Sequence, residues 1–103
     1  MSVAFSGTWM ATLPRQNVQT KIVFSSTNST VKVEPVGGQQ TFPGSPAEDG
    51  NGNFVIQAVQ PGSGMNAVWS GTHDATTGSG FMVEYSHTRQ LASLEPATFA
   101  KVS

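Results

Sequence analysis

Hydrophobic and polar residues alternate along most of this chain with the two-residue period of β-strands, not the 3.6-residue period of helices. Val, Ile, Phe and Trp occupy the alternating positions, and Gly, Pro, Asn and Asp separate the segments. The pattern predicts almost no helix. It predicts six or seven strands, drawn from residues 3–12, 18–24, 30–36, 53–60, 65–73, 80–88 and 97–102.

One segment follows neither period. Residues 35–53 consist mainly of turn-forming residues, and Phe42 is their only large apolar side chain. Such a stretch in a compact domain predicts a long loop, which is usually functional or mobile. Gly37, Gly38 and Gly44 flank Phe42, so the loop is interpreted as a lid that closes an opening, or as a plug for one end of the domain.

The hydrophobic pattern also suggests a register for the hairpin formed by residues 65–73 and 80–88. Placing Trp69 opposite Tyr85 puts Phe81, Val83 and His87 on the same apolar face and turns Glu84 outward. The predicted inner face then carries most of the aromatic residues of the chain, namely Phe5, Trp9, Phe24, Phe54, Trp69, Phe81 and Tyr85.

Strands that are apolar on one side must bury that side and protect their edges. We therefore predict an all-β fold, an antiparallel up-and-down meander of six or seven strands that forms a small barrel or a curled half-barrel; a β-sandwich is the alternative. With 103 residues, the chain is expected to be a single domain, 1–103.

The composition of the chain excludes several classes of partner and site. The chain has no cysteine, which excludes disulfides and thiolate metal sites. Five basic and six acidic residues give a net charge of −1, so no basic face for nucleic acid is expected. No basic residue precedes Arg15 and no long apolar segment follows, which predicts a cytoplasmic protein without a membrane partner.

Two short motifs resemble those of a known group of barrels. Phe5-Ser6-Gly7-Thr8-Trp9 is similar to the first strand of the calycins, which comprise lipocalins, fatty-acid-binding proteins and avidins, and Trp69-Ser70-Gly71 is similar to a late avidin strand. The resemblance implies a small barrel whose floor is closed by Trp9. It implies no particular ligand, because Ala11 and Arg15 replace two polar residues of the avidin site and Gln90-Leu91 follow Arg89, where fatty-acid-binding proteins have an Arg-x-Tyr.

The residues usually associated with catalysis or metal binding are sparse. The predicted register separates His73 from His87 by about 20 Å, too far for a shared metal. Asp49-Gly50-Asn51-Gly52-Asn53 begins like a calcium loop, but Phe54 and Gln60 stand where the required Gly and Glu belong, which favours an ordinary turn. Without a nucleophile beside a base, we expect no enzyme, no metal and no cofactor.

Two functions remain. The first is a non-enzymatic, lipocalin-like binding module for a small apolar or aromatic ligand, with Trp69 and Tyr85 stacking on the ligand, His87 donating a hydrogen bond and Phe42 closing the entrance; Trp9 is the remaining candidate. The second is a structural or interaction protein that forms a homodimer or larger homo-oligomer. Its basis is the doubly apolar segment 54–59 together with Val23, Val36 and Val68.

Overall fold

The computed structural model describes residues 6–27, 29–37, 41–60, 65–86, 88 and 90–103, and every regular element within them is a β-strand. These residues contain no helix long and apolar enough to cross a membrane. The strands are β1 Thr8–Leu13, β2 Val18–Phe24, β3 Val31–Pro35, β4 Phe42–Glu48, β5 Asn53–Gln60, β6 Met65–His73, β7 Thr77–Ser86 and β8 Leu91–Lys101.

Each strand pairs antiparallel with the next, and β8 pairs with β1, so the sheet closes on itself. The closing pair joins Trp9 to Lys101 and Ala11 to Phe99. The predicted antiparallel meander that closes into a barrel is therefore confirmed, and the alternative of a sandwich is not what the chain forms.

The barrel has eight strands, so the prediction of six or seven was wrong. The additional strand, β4, lies inside the segment 35–53 that was predicted to be a loop. Its two prolines and one glycine are poor strand formers and hide the alternation. Pairing with distant residues forms it instead, since Gly44 lies between Val31 of β3 and Ala58 of β5.

The interior is filled by alternate residues of the strands. Trp9, Ile22 and Ile56 are completely buried. The other buried apolar residues are Ala11, Leu13, Phe24, Val31, Val33, Phe42, Phe54, Ala58, Ala67, Trp69, Met82, Ala97 and Phe99. Removal of these side chains from water is the main stabilising contribution to a barrel without disulfides.

The predicted register of the β6–β7 hairpin was wrong by three residues. Trp69 lies opposite Met82, not Tyr85. Because three is an odd number, the displacement reverses the two faces of β7 and turns Phe81 and Tyr85 outward. Gly71 lies opposite Gly80, where a Cβ on either residue would clash with the backbone of the other strand. Gly71 and Gly80 therefore both face inward, although the hydrophobic pattern had assigned the face of β7 that carries Gly80 to the outside.

The two ends of the barrel differ in their connections. Turns β2–β3, β4–β5 and β6–β7 meet at one end, which we call the closed end. Gly7 lies there with a φ of +85°, and a Cβ at this position would clash with the carbonyl oxygen of Ser103. We call the opposite end, where β1 connects to β2 and β3 to β4, the pocket end.

Candidate functional site

A pocket of about 190 Å³ enters the barrel from the pocket end. Ala58 and Ala67, which pair directly across β5 and β6, line it, and their short side chains leave space that larger residues would fill. The complete lining consists of Leu13, Gln16, Val18, Thr20, Val33, Pro35, Phe42, Ala58, Ala67, Trp69, Met82 and Glu84. Most of these side chains are apolar, so the pocket favours an apolar ligand.

Two of the predicted site residues meet in this pocket. Trp69 of β6 is 6% exposed and Phe42 of β4 is 7% exposed, so each presents only a small part of its ring to the pocket. Phe42 lies opposite Val33 in the barrel wall rather than on a loop. It is therefore a wall residue, and the lid that the sequence suggested is replaced by a strand.

Glu84 is the charged lining residue that the sequence analysis missed. The corrected register places it on the inner face of β7, directly opposite Ala67. Its one described hydrogen bond is accepted by Oε1 from the Ser93 hydroxyl at 3.4 Å. The alternation of Gly78, Gly80, Met82 and Glu84 gave no signal, because this set is less hydrophobic than the set that faces outward.

Of the remaining predicted site residues, Trp9 and Tyr85 are not brought to the pocket. Trp9 is completely buried at the closed end, where its Nε1 donates a hydrogen bond to the Ser6 carbonyl at 2.9 Å. Tyr85 lies on the outer surface, and its hydroxyl accepts a hydrogen bond from Gln57 Nε2 at 3.3 Å. His87 lies outside the described residues.

The closed end is packed with aromatic rings around His73. The ring centroids of Trp9 and Phe54 each lie 5.8 Å from that of His73, in edge-on geometry. Nδ1 of His73 lies 2.9 Å from the Asp74 carbonyl, which can only accept, so this nitrogen carries the proton. Nε2 lies 3.6 Å from Oε2 of Glu48. The arrangement fixes the imidazole as part of the core.

Two turns at the closed end are organised by aspartates. The side-chain amide of Asn53 and the backbone N–H of Asn51 donate hydrogen bonds to Asp49 and lower the pKa of its carboxyl group. The backbone N–H groups of Thr76 and Thr77 lower the pKa of Asp74 in the same way. Asp49 thus has the hydrogen bonds of an Asx turn, as the sequence favoured.

Comparison of the chain with protein-family models and with curated proteins gives no match. In the described part of the chain, no group of three or more His, Asp or Glu residues could hold a metal ion. Only the geometry of the barrel itself therefore indicates a function.

The outer surface of the barrel is divided by charge. Lys21, Lys32 and Glu34 face outward on β2 and β3. Across β5 to β8, by contrast, none of the described outward positions within the strands carries a charge, and five large exposed apolar residues lie among them: Val55, Val59, Phe81, Leu91 and Leu94. These outward positions form one continuous surface, because they pair from strand to strand, as in the row Gln57, Val68, Val83 and Leu94. We call this surface the uncharged face.

Proposed function

We propose that this chain is a non-enzymatic binding module whose pocket end takes one small apolar or aromatic molecule. The observation that carries the proposal is the pocket of about 190 Å³, lined mainly by apolar side chains, that opens at the pocket end of the barrel. Interiors of small domains are close-packed, and an apolar space of this size costs stability unless a ligand occupies it.

The size of the pocket limits the ligand. An apolar cavity of about 150 Å³ holds a benzene molecule. The pocket of this barrel therefore suits a compound with one ring, or an aliphatic compound of similar bulk, and is too small for a fatty acid or a fused polycyclic compound. Trp69 and Phe42 supply aromatic surfaces on which such a ring packs.

Titration with toluene, phenol and cyclohexanol tests the proposal. Trp69 lines the pocket and Trp9 does not, so a Trp9→Phe background isolates the fluorescence of the residue that a ligand would contact. We expect a saturable change for at least one compound. Ala58→Leu fills the pocket and should abolish this fluorescence change. Absence of saturable binding by any of the three compounds, followed also by calorimetry, would contradict the proposal.

A second candidate function is self-association through the uncharged face. A two-fold interface places a surface against its own copy, so a face without charges avoids like-charge repulsion. Exposed fractions of 51% for Phe81 and 53% for Leu94 are large for residues of this kind and favour an interface. In this case the chain would act by forming a homodimer, without a small-molecule ligand.

Light scattering after gel filtration tests this alternative. We expect a dimer in the wild-type protein and a monomer in Phe81→Lys, which places a charge within the uncharged face. Gln19→Lys introduces the same charge on the outer surface of β2 and should leave the dimer intact. A wild-type monomer at all working concentrations would contradict the alternative.

A further inference from the structure

The chemistry of the ligand is indicated by the one acidic residue in the pocket lining. Glu84 is partly buried among apolar wall residues, with Ala67 opposite it on β6. Within the described part of the chain, no lysine or arginine forms an ion pair with it, and the Ser93 hydroxyl is its one hydrogen-bond donor. No described residue supplies this carboxylate with a positive counter-charge.

A second carboxylate adds to this imbalance. Glu95 alternates with the buried residues Ala97 and Phe99, which places it on the inner face of β8. It lies opposite Met82, so it is diagonal to Glu84 across the β7–β8 pair. Its Oε2 is buried and has no hydrogen-bond partner among the described residues. Among the described residues, the wall beside the pocket therefore carries two carboxylates and no cation paired with either of them.

We infer that the ligand is a small primary amine with one aromatic ring, which binds as the ammonium ion. Its N–H groups would donate to Glu84, and its ring would pack against Trp69 and Phe42. An ammonium ion would offset the unpaired negative charge that a neutral molecule leaves in place, and it is also attracted to the face of an indole ring. This inference rests on the proposed binding function and names the ligand class of the same pocket.

Three probes of nearly equal size test the inference by calorimetry at neutral pH: benzylamine, benzyl alcohol and benzoate. They differ in charge, which is positive, zero and negative respectively. We expect wild-type protein to bind benzylamine about ten- to a hundredfold more tightly than benzyl alcohol, the range for a hydrogen bond to a charged group. Benzoate should bind most weakly, because its carboxylate faces Glu84.

The matched variants are Glu84→Gln and Glu34→Gln. Both remove one negative charge, but Glu34 lies on the outer surface of β3. We expect E84Q to abolish the preference for benzylamine while it still binds benzyl alcohol, and E34Q to retain the preference. Equal affinity of the wild-type protein for benzylamine and benzyl alcohol, or tighter binding of benzoate, would overturn the inference and leave the binding function intact. No binding of any probe would overturn both. The wild-type comparison decides the matter even where E84Q fails to fold.

Discussion

At the closed end of the barrel, the rings of Phe54 and Phe99 meet edge to face with centroids 5.0 Å apart, and His73 lies against Trp9 and Phe54. At the pocket end, Trp69 and Phe42 face a space of about 190 Å³. Both ends bury aromatic side chains on the inner face of the barrel. Neighbouring side chains decide whether the rings fill the barrel or line an opening in it.

The difference lies in the small residues. Ala58 and Ala67 face each other at the pocket end, whereas nearer the closed end the inward residues of these two strands include Phe54, which lies opposite Gly71, and His73. Alternation along a strand determines which side chains point inward but not how much space they occupy. Two ends of one barrel can therefore have separate functions, one as a packed core and the other as a binding site.

The largest expected effect is at the centre of the closed end. Trp9→Ala should lower the free energy of unfolding by about 4 kcal/mol, because a completely buried indole leaves a cavity that its neighbours cannot fill. Phe81→Ala is the matched control, since Phe81 is 51% exposed, and should cost less than about 1 kcal/mol. Denaturant unfolding measures both. Similar losses for the two variants would show that the closed end is not the packed core.

Phe42→Ala should have a smaller effect on stability and a second effect on binding. Phe42 is buried in the wall, so we expect a loss of about 3 kcal/mol in the free energy of unfolding. The same change removes a ring from the pocket lining and should weaken the binding of a one-ring ligand. Paired unfolding and binding measurements check this; a change in affinity with no loss of stability would restore the interpretation as a lid.

The wall around Phe42 also shows why the sequence predicted only part of the fold. Val18–Phe24, Asn53–Gln60 and Met65–His73 have the bounds expected from alternation, because each carries its own hydrophobic pattern. Phe42–Glu48 does not, since it becomes a strand only by pairing with both neighbours. This strand forms because the closed sheet pairs it on both sides, and the local sequence pattern does not predict that pairing.

Only part of the candidate site was predicted, because its remaining residues also depend on pairing between strands. Trp69 and Phe42 were expected to contact a ligand, and both line the pocket. Glu84 was expected to face outward, because alternation offers two faces and the more hydrophobic set of β7 was assigned to the interior. The close approach of Gly71 and Gly80 places the other face of β7 inward. A backbone contact between two strands cannot be predicted from the hydrophobicity of their residues.

Two matched enlargements test whether the barrel is filled at Ala97 and open at Ala67. Ala97→Leu adds volume at a buried position that does not line the pocket, so overpacking should cost about 1–3 kcal/mol. Ala67→Leu adds the same volume beside the pocket, where it should cost less than about 1 kcal/mol and should abolish binding of a one-ring ligand. Thermal unfolding and calorimetry measure these effects. Equal destabilisation by the two variants would mean that the space beside Ala67 cannot accept a side chain.

The smallest expected effect separates the two ends by their response to acid. Hydrogen bonds donated to Asp49 and Asp74, both in turns at the closed end, hold the pKa of each carboxyl group below its ordinary value of 3.8. A carboxyl group with a lowered pKa in the folded state stabilises the fold above pH 3.8, and this contribution is lost as the pH falls through the lower folded-state value.

Stability should therefore fall as the pH decreases below 3.8, and the Asp49→Asn and Asp74→Asn variants should each show a shallower decrease. Asparagine keeps a side-chain oxygen that can accept hydrogen bonds from Asn51 in the first turn or from Thr76 in the second, so the turns can persist without the charge. The free energy of unfolding of the double variant should depend least on pH below 3.8. Urea unfolding across this range measures the slope. An unchanged slope in the double variant would place the acid-sensitive groups elsewhere, because it would show that neither turn aspartate couples its ionisation to folding of the closed end.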